Sequence, residues 1–187
     1  MNKSVIAMGL LLAAAASPSS HAADAVPGKG AGQINFTGTI TESTCDVDIN
    51  GQGGNPTIEM GTISSSAFKA KGDVAGIHRI QIDLSNCDTN VLKEAGARFG
   101  GAYDPIDNNL LALKTGDDTA KGLGIEFLNE DATSLRLGDN PNKFIPITGD
   151  GTTGKATLLY SARYKSTLDS VVAGKADAVA DYTIIYK

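Results

Sequence analysis

The 187-residue chain has no Trp, only two Cys and two His, and aromatic side chains make up just 5 % of it. Two thiols cannot supply a four-thiolate zinc site or a disulfide-dense miniature fold, and two His add no metal-ligand vocabulary. Basic residues are also scarce. Lys and Arg number 16 against 21 Asp and Glu, giving a formal charge of −5, the wrong sign for a surface that tracks nucleic-acid phosphates. Nor is there an apolar run of the ~20 residues needed to cross a bilayer. What is present is 41 % hydrophobic residues in a length suited to one domain, broken up by 22 Gly and 6 Pro.

The N-terminus carries the clearest local signal. Lys3 precedes the apolar run from Val5 to Ala16, which gives way to Ser17 and Pro18 and then to small residues ending at Ala22. A basic start, a short apolar stretch and a small-residue region read as a secretory signal, residues 1–22, cleaved after Ala22, with a cut after Ala25 as the alternative. Loss of Lys3 takes the formal charge of the mature chain to −6. Export places Cys45 and Cys87 in an oxidising compartment, where they are expected to form one disulfide rather than reactive groups.

Beyond the signal the period is two, not 3.6. Ile34, Phe36 and Ile40 share one parity, and Cys45, Val47 and Ile49 another; Ile58 and Met60, and Ile80, Ile82 and Leu84, follow the same rule. Leu123, Ile125 and Phe127 repeat it, Leu135 and Leu137 do so briefly, and Leu158, Tyr160, Ala162 and Tyr164 give the longest example. Breaks rich in Gly, Asp and Asn fall at 50–56, 100–109, 116–122, 138–142 and 149–155. Short strands at that spacing predict an all-β sandwich. The last alternating stretch, with Ala180, Tyr182, Ile184 and Tyr186 on one face, is followed only by Lys187, so an uncovered strand edge is expected there.

Five segments together resemble the chaperone-usher fimbrial subunits, closest in layout to the major pilins of type 1 fimbriae. They are residues 32–40 (GQINFTGTI), 44–47 (TCDV), 84–87 (LSNC), 156–164 (ATLLYSARY) and the ending from Gly174 to Tyr186. The resemblance implies an incomplete immunoglobulin-like β-sandwich lacking its seventh strand, bridged by Cys45 and Cys87 and completed by donor-strand complementation. It divides the chain into the signal, an N-terminal donor-strand extension over 23–36, and a pilin domain over 37–187. Gly32 would meet a shallow pocket, with Ile34 and Phe36 as buried anchors. Gly174, Tyr182, Ile184 and Tyr186 would belong to the receiving groove, Tyr186 also to chaperone recognition. The implied partners are a periplasmic pilus chaperone, an outer-membrane usher and neighbouring subunits in a homopolymer on the bacterial surface. No cofactor, metal or nucleic acid is implied, and no enzymatic activity.

Other local patterns are weaker. Asp46, Asp48, Asn50 and Gly51 resemble the opening of an EF-hand loop, yet the twelfth position is Thr57 rather than Glu and no helix precedes it. His78 has Asp73, Asp83 and Asp88 near it in sequence but no spacing that assembles a catalytic or metal site. The Gly-rich stretches 28–32 and 51–54 lack the strand-to-helix context of a phosphate loop. Tyr160, Tyr164, Tyr182 and Tyr186 keep open an alternative, a monomeric exported carbohydrate-binding sandwich.

Overall fold

The computed structural model describes residues 32–38, 40 and 44–187; the expected signal and most of the expected donor extension lie outside the described residues. The chain divides into two units at Ile40 and Thr41. In the first, residues 32–38 form no strand, and Ile34 and Phe36 are 79 % and 91 % exposed. Their alternation fixes which side chains share a face; a ladder partner is what makes such a stretch a strand.

The second unit contains nine strands among the described residues. They are β1 (Asp46–Ile49), β2 (Val74–Cys87), β3 (Glu94–Gly101), β4 (Leu111–Ala112), β5 (Leu123–Asn129), β6 (Ser134–Leu135), β7 (Ile145–Pro146), β8 (Gly154–Ser166) and β9 (Ala180–Tyr186). One sheet runs β1-β2-β8-β5-β4, with β6 also paired to β5; the other runs β7-β3-β9. All ladders are antiparallel. The structure is an open immunoglobulin-like sandwich whose second sheet is one strand short of closing over the first.

The two long central strands explain most of the core. On β8 every even residue from Gly154 to Ser166 is buried and the odd ones are at least partly exposed, as period-two patterning requires. Ile80, Ile82 and Leu84 of β2 stand on the same inner face, in register with Tyr160, Leu158 and Ala156. The opposing sheet contributes Ala95, Ala97 and Phe99. Phe99 stacks on Phe127 at 4.4 Å between ring centroids and meets Tyr160 edge-on at 5.1 Å.

Two buried polar features stand out, one between the layers and one within the first sheet. Ala97 faces Ile184 at a position where antiparallel partners exchange no bonds, so its amide points toward β7, which has already ended opposite Glu94 and Ala95. The Tyr160 hydroxyl accepts that amide at 2.9 Å, and burial raises the tyrosine's pKa, the Ala97 amide partly offsetting it. On the outer side, the buried Glu126 carboxylate accepts from Arg163 and Lys165 at 2.6 and 2.8 Å and from the Ser134 hydroxyl at 3.1 Å. Burial raises its pKa, but the hydrogen bonds and charges of Lys165 and Arg163 outweigh it, and the net shift is downward from 4.5.

Cys45 and Cys87 are joined by a disulfide that pins the start of β1 to the end of β2, closing a separation of 42 residues. A loop of that size is worth roughly 4 kcal/mol in lost unfolded-state entropy on the chain-entropy view. The EF-hand-like stretch is a tight turn instead. The Asp48 carboxylate accepts from the amides of Gly51 and Gly53, the bonds that a calcium ion would otherwise compete for.

Candidate functional site

A groove of about 1390 Å³ opens into the core of the sandwich. Its floor is built from the inner faces of β5 and β8, where Ile125, Phe127, Ala162 and Tyr164 alternate inward, and Phe99 reaches it from β3. One bank is the stretch 54–63. The other is the stretch 171–180 and the beginning of β9 as far as Tyr182.

Both banks carry unpaired main chain. Lys187 and Glu94 exchange a reciprocal pair of N–H···O bonds, at 2.9 and 3.0 Å, which sets the phase of the β3–β9 ladder. The bonded residues of β9 are then Asp181, Thr183 and Ile185, and the amides and carbonyls of Tyr182, Ile184 and Tyr186 point away from β3. No strand among the described residues pairs with that edge. Across the groove, Ile58, Met60 and Ile63 are half-buried, and Glu59, Gly61 and Thr62 between them are exposed. Even so, no backbone-to-backbone hydrogen bond involves residues 54–63 among the described residues. This is strand patterning with no neighbour.

The tyrosines of β9 reach across to the chain just before and just after β1. The Tyr182 hydroxyl donates to the Gly54 carbonyl at 2.8 Å, and the Tyr186 hydroxyl accepts from the Cys45 amide at 3.2 Å beside the disulfide. At the opposite end of the groove the Tyr164 hydroxyl donates to the Ala176 carbonyl at 2.9 Å; burial, reinforced by the nearby Asp177, raises its pKa. Tyr160 and Tyr164 are therefore core residues, and their aromatic faces are not spread on a surface where a sugar could stack.

The expected groove residues separate into two groups. Gly174 and Tyr182 line the cavity; Ile184 and Tyr186 lie further along β9, outside the lining, with their main chain on the free edge. Gly174 has a steric reason that sequence did not reveal. A Cβ there would come within 2.6 Å of Ala120 N and Asp118 O, because the stretch after β8 crosses directly over residues 118–120. Sequence reading also missed the 54–63 bank. Its Ile58 and Met60 alternation was read as strand patterning, but nothing in the sequence placed that stretch beside the groove.

No group of three or more His, Cys, Asp or Glu is gathered for a metal among the described residues. What the arrangement offers is a trough with an apolar floor between two backbone stretches that have no ladder on the groove side, which is the chemistry of binding an extended peptide strand.

The model of the family described as "Fimbrial protein" matches residues 34–187. Among known proteins, the chain is 32 % identical to "Long polar fimbria protein A" of Salmonella typhimurium, over 100 % of this chain and 98 % of that one. It is 31 % identical to "Type-1 fimbrial protein subunit" of Serratia marcescens, with 100 % of both chains covered. Among solved structures, the Burkholderia pseudomallei antigen and type I fimbria protein superposes with a TM-score of 0.55 at 26 % identity, covering 82 % of this chain and 96 % of that one.

Proposed function

This chain belongs to the fimbrial protein family, and we propose that each copy both offers and receives a strand. It is a structural, non-enzymatic subunit of a surface fimbrium, assembled by donor-strand exchange along the chaperone-usher route after passage through the periplasm. Residues 23–36 are the donor. Gly32, Ile34 and Phe36 share the parity that enters the neighbour's groove, and Gly174 and Tyr182 belong to the groove that receives them. The main-chain edge of Tyr182, Ile184 and Tyr186 supplies directional bonds to the entering strand, and a periplasmic chaperone occupies the same opening before assembly. Neighbouring copies of this same chain are the partners in a homopolymer.

The single observation that carries this reading is the open groove flanked by two unpaired backbone edges. Burying two side chains such as Ile34 and Phe36 returns roughly 3–6 kcal/mol before ordering costs, and the added main-chain bonds fix direction. Because donor and groove are different surfaces, the contact is head to tail and extends without closing.

The test compares the wild-type chain with a deletion of residues 24–36 in cells carrying the matching chaperone and usher. The deleted chain is expected to accumulate as a periplasmic chaperone complex and to add no length to the shaft. Normal polymer from the deletion would reject residues 23–36 as the donor.

A further inference from the structure

A bulge in β2 turns His78 to the inner side of the sheet, behind the 54–63 bank. Ala75 pairs with Tyr164 and His78 with Ala162, so three steps of β2 span two of β8 and one residue is extra. Gly76 stands at that bulge with φ +67°, a conformation open to glycine. The extra residue resets the parity, so that Ala75 and His78 both face the inner side of the sheet, opposite the groove-lining Tyr164 and Ala162. A notch is left over Gly76. The Cδ1 atom of Ile63 occupies it so closely that a Cβ on Gly76 would collide with it, and the Tyr164 ring closes the notch's far side.

Three residues before Ile63 on the bank, the Met60 carbonyl oxygen lies 3.2 Å from His78 Nε2. A carbonyl only accepts, so Nε2 carries the proton in this contact. These two contacts matter because the bank from 54 to 63 has no backbone ladder among the described residues. A side-chain bond at Met60 and a side-chain plug at Ile63, with the Tyr182 hydroxyl at Gly54, hold the main chain of the bank in place.

We propose that His78 is a positioning residue for strand uptake: with Ile63 seated over Gly76, its N–H fixes the 58–63 bank at the spacing an incoming strand needs to bond along both of its edges. This rests on the donor-strand reading above. His78 touches no donor itself; it acts through Met60.

The experiment uses the mature chain loaded with a fluorescein-labelled synthetic peptide of residues 23–38, made by displacing the co-expressed chaperone. Release into excess unlabelled peptide is followed at a urea concentration where the wild type releases measurably. His78→Phe keeps a ring and removes the donor; His78→Gln keeps an N–H of similar reach. Loss of one bond to the bank is expected to speed release about fivefold for His78→Phe, with His78→Gln within about twofold of wild type. Ile63→Ala, which empties the notch, is expected to speed release as well. Equal release from wild type and His78→Phe overturns the proposal, and so does His78→Gln behaving like His78→Phe, since restoring an N–H would then restore nothing. Should His78→Phe fail to accumulate with the chaperone, Ile63→Ala decides, unaltered release overturning the proposal. Ala162→Leu, which fills the groove floor, separates the two readings. If it takes up and holds peptide as the wild type does, the donor-strand reading fails; if it blocks uptake and His78→Phe changes nothing, only the positioning role fails.

Discussion

Phe36 allows the donor register to be tested one side chain at a time. In the described chain its ring is 91 % exposed, and Ile34 two residues earlier is 79 % exposed, so both have nearly their whole apolar surface left to bury. The floor they would meet is aromatic and aliphatic, with Phe127, Ile125 and Ala162 presented to the groove. Full burial of a phenylalanine is worth about 1.5–3 kcal/mol, and an alanine retains only a fraction of that. A peptide of residues 23–38 carrying Phe36→Ala is therefore expected to compete for the chaperone-held chain about 30-fold less well than wild type, on a loss of about 2 kcal/mol. Phe36→Leu should recover most of the difference. Phe36→Asp should not compete measurably, because a carboxylate moved into an apolar trough without a partner costs several kcal/mol more. Asn35 has the opposite parity, and Asn35→Ala should compete like wild type. The assay is competition of unlabelled peptides against one labelled peptide, read by native mass spectrometry. Equal competition by Phe36→Ala and wild type, or an Asn35→Ala loss as large as that of Phe36→Ala, would refute the register.

Three changes within the sandwich can be read in a monomer that carries its own copy of residues 23–38 after Lys187 through a flexible linker. Tyr160→Phe keeps the edge contact with Phe99 and strands the buried Ala97 amide; unfolding in urea should show a loss of about 1–3 kcal/mol, and an unchanged midpoint would mean that another group satisfies the amide. Glu126→Gln removes the shared anion of Arg163 and Lys165, with an expected cost of about 2 kcal/mol at neutral pH. Because the folded pKa of Glu126 lies below 4.5, its contribution is complete above that value and fades as pH falls through the lower folded pKa; the variant should show a shallower acid limb there, and parallel limbs would contradict the ion-pair account. Gly174→Val drives a branched side chain into the main chain of Asp118 and Ala120, so soluble chaperone complex should fall sharply, and wild-type yield would show that residues 118–120 can move aside.

Much of the sandwich was legible because its central strands obey one rule. The even residues of β8 and the Ile80, Ile82 and Leu84 series of β2 are buried on one side only, and period two then reports the face directly. β5 departs from this, with all seven residues buried. Its outer face is covered as well, and Glu126 can sit there only because Arg163 and Lys165 on the adjacent strand neutralise it. No single-strand pattern reveals such cross-strand pairing. The same limitation explains residues 34–36 and 58–60, whose alternation is strand-like and which form no strand. Alternation encodes a preference for a half-buried ladder, while the ladder itself depends on a partner outside the segment. The bulge at Gly76 was hard to read for a different reason: one extra residue inverts the parity of everything before it, and although a glycine inside a strand hints at a bulge, which residue is extra follows only from the register against β8.

The two unpaired stretches are best understood together. A strand edge such as that of Tyr182, Ile184 and Tyr186 invites indiscriminate pairing, and a soluble sandwich ordinarily blunts or covers it. Here the edge borders an apolar trough, so a correct partner must satisfy backbone and core at once: extended, apolar on one parity, and small where the floor is shallow. Either requirement alone is permissive; jointly they are restrictive, and the proposed donor residues 32–36 meet them in their alternation. The same coupling makes assembly contribute to folding. Whatever binds only the folded subunit stabilises it in proportion to the logarithm of its effective concentration over Kd, and in a polymer the donor of the adjoining subunit is held permanently beside the groove. Each subunit inside a shaft is then more stable than the same chain released from it, by an amount set by the donor contact rather than by its own core. A domain left incomplete is consequently a means of tying the stability of every fold to the continuity of the filament.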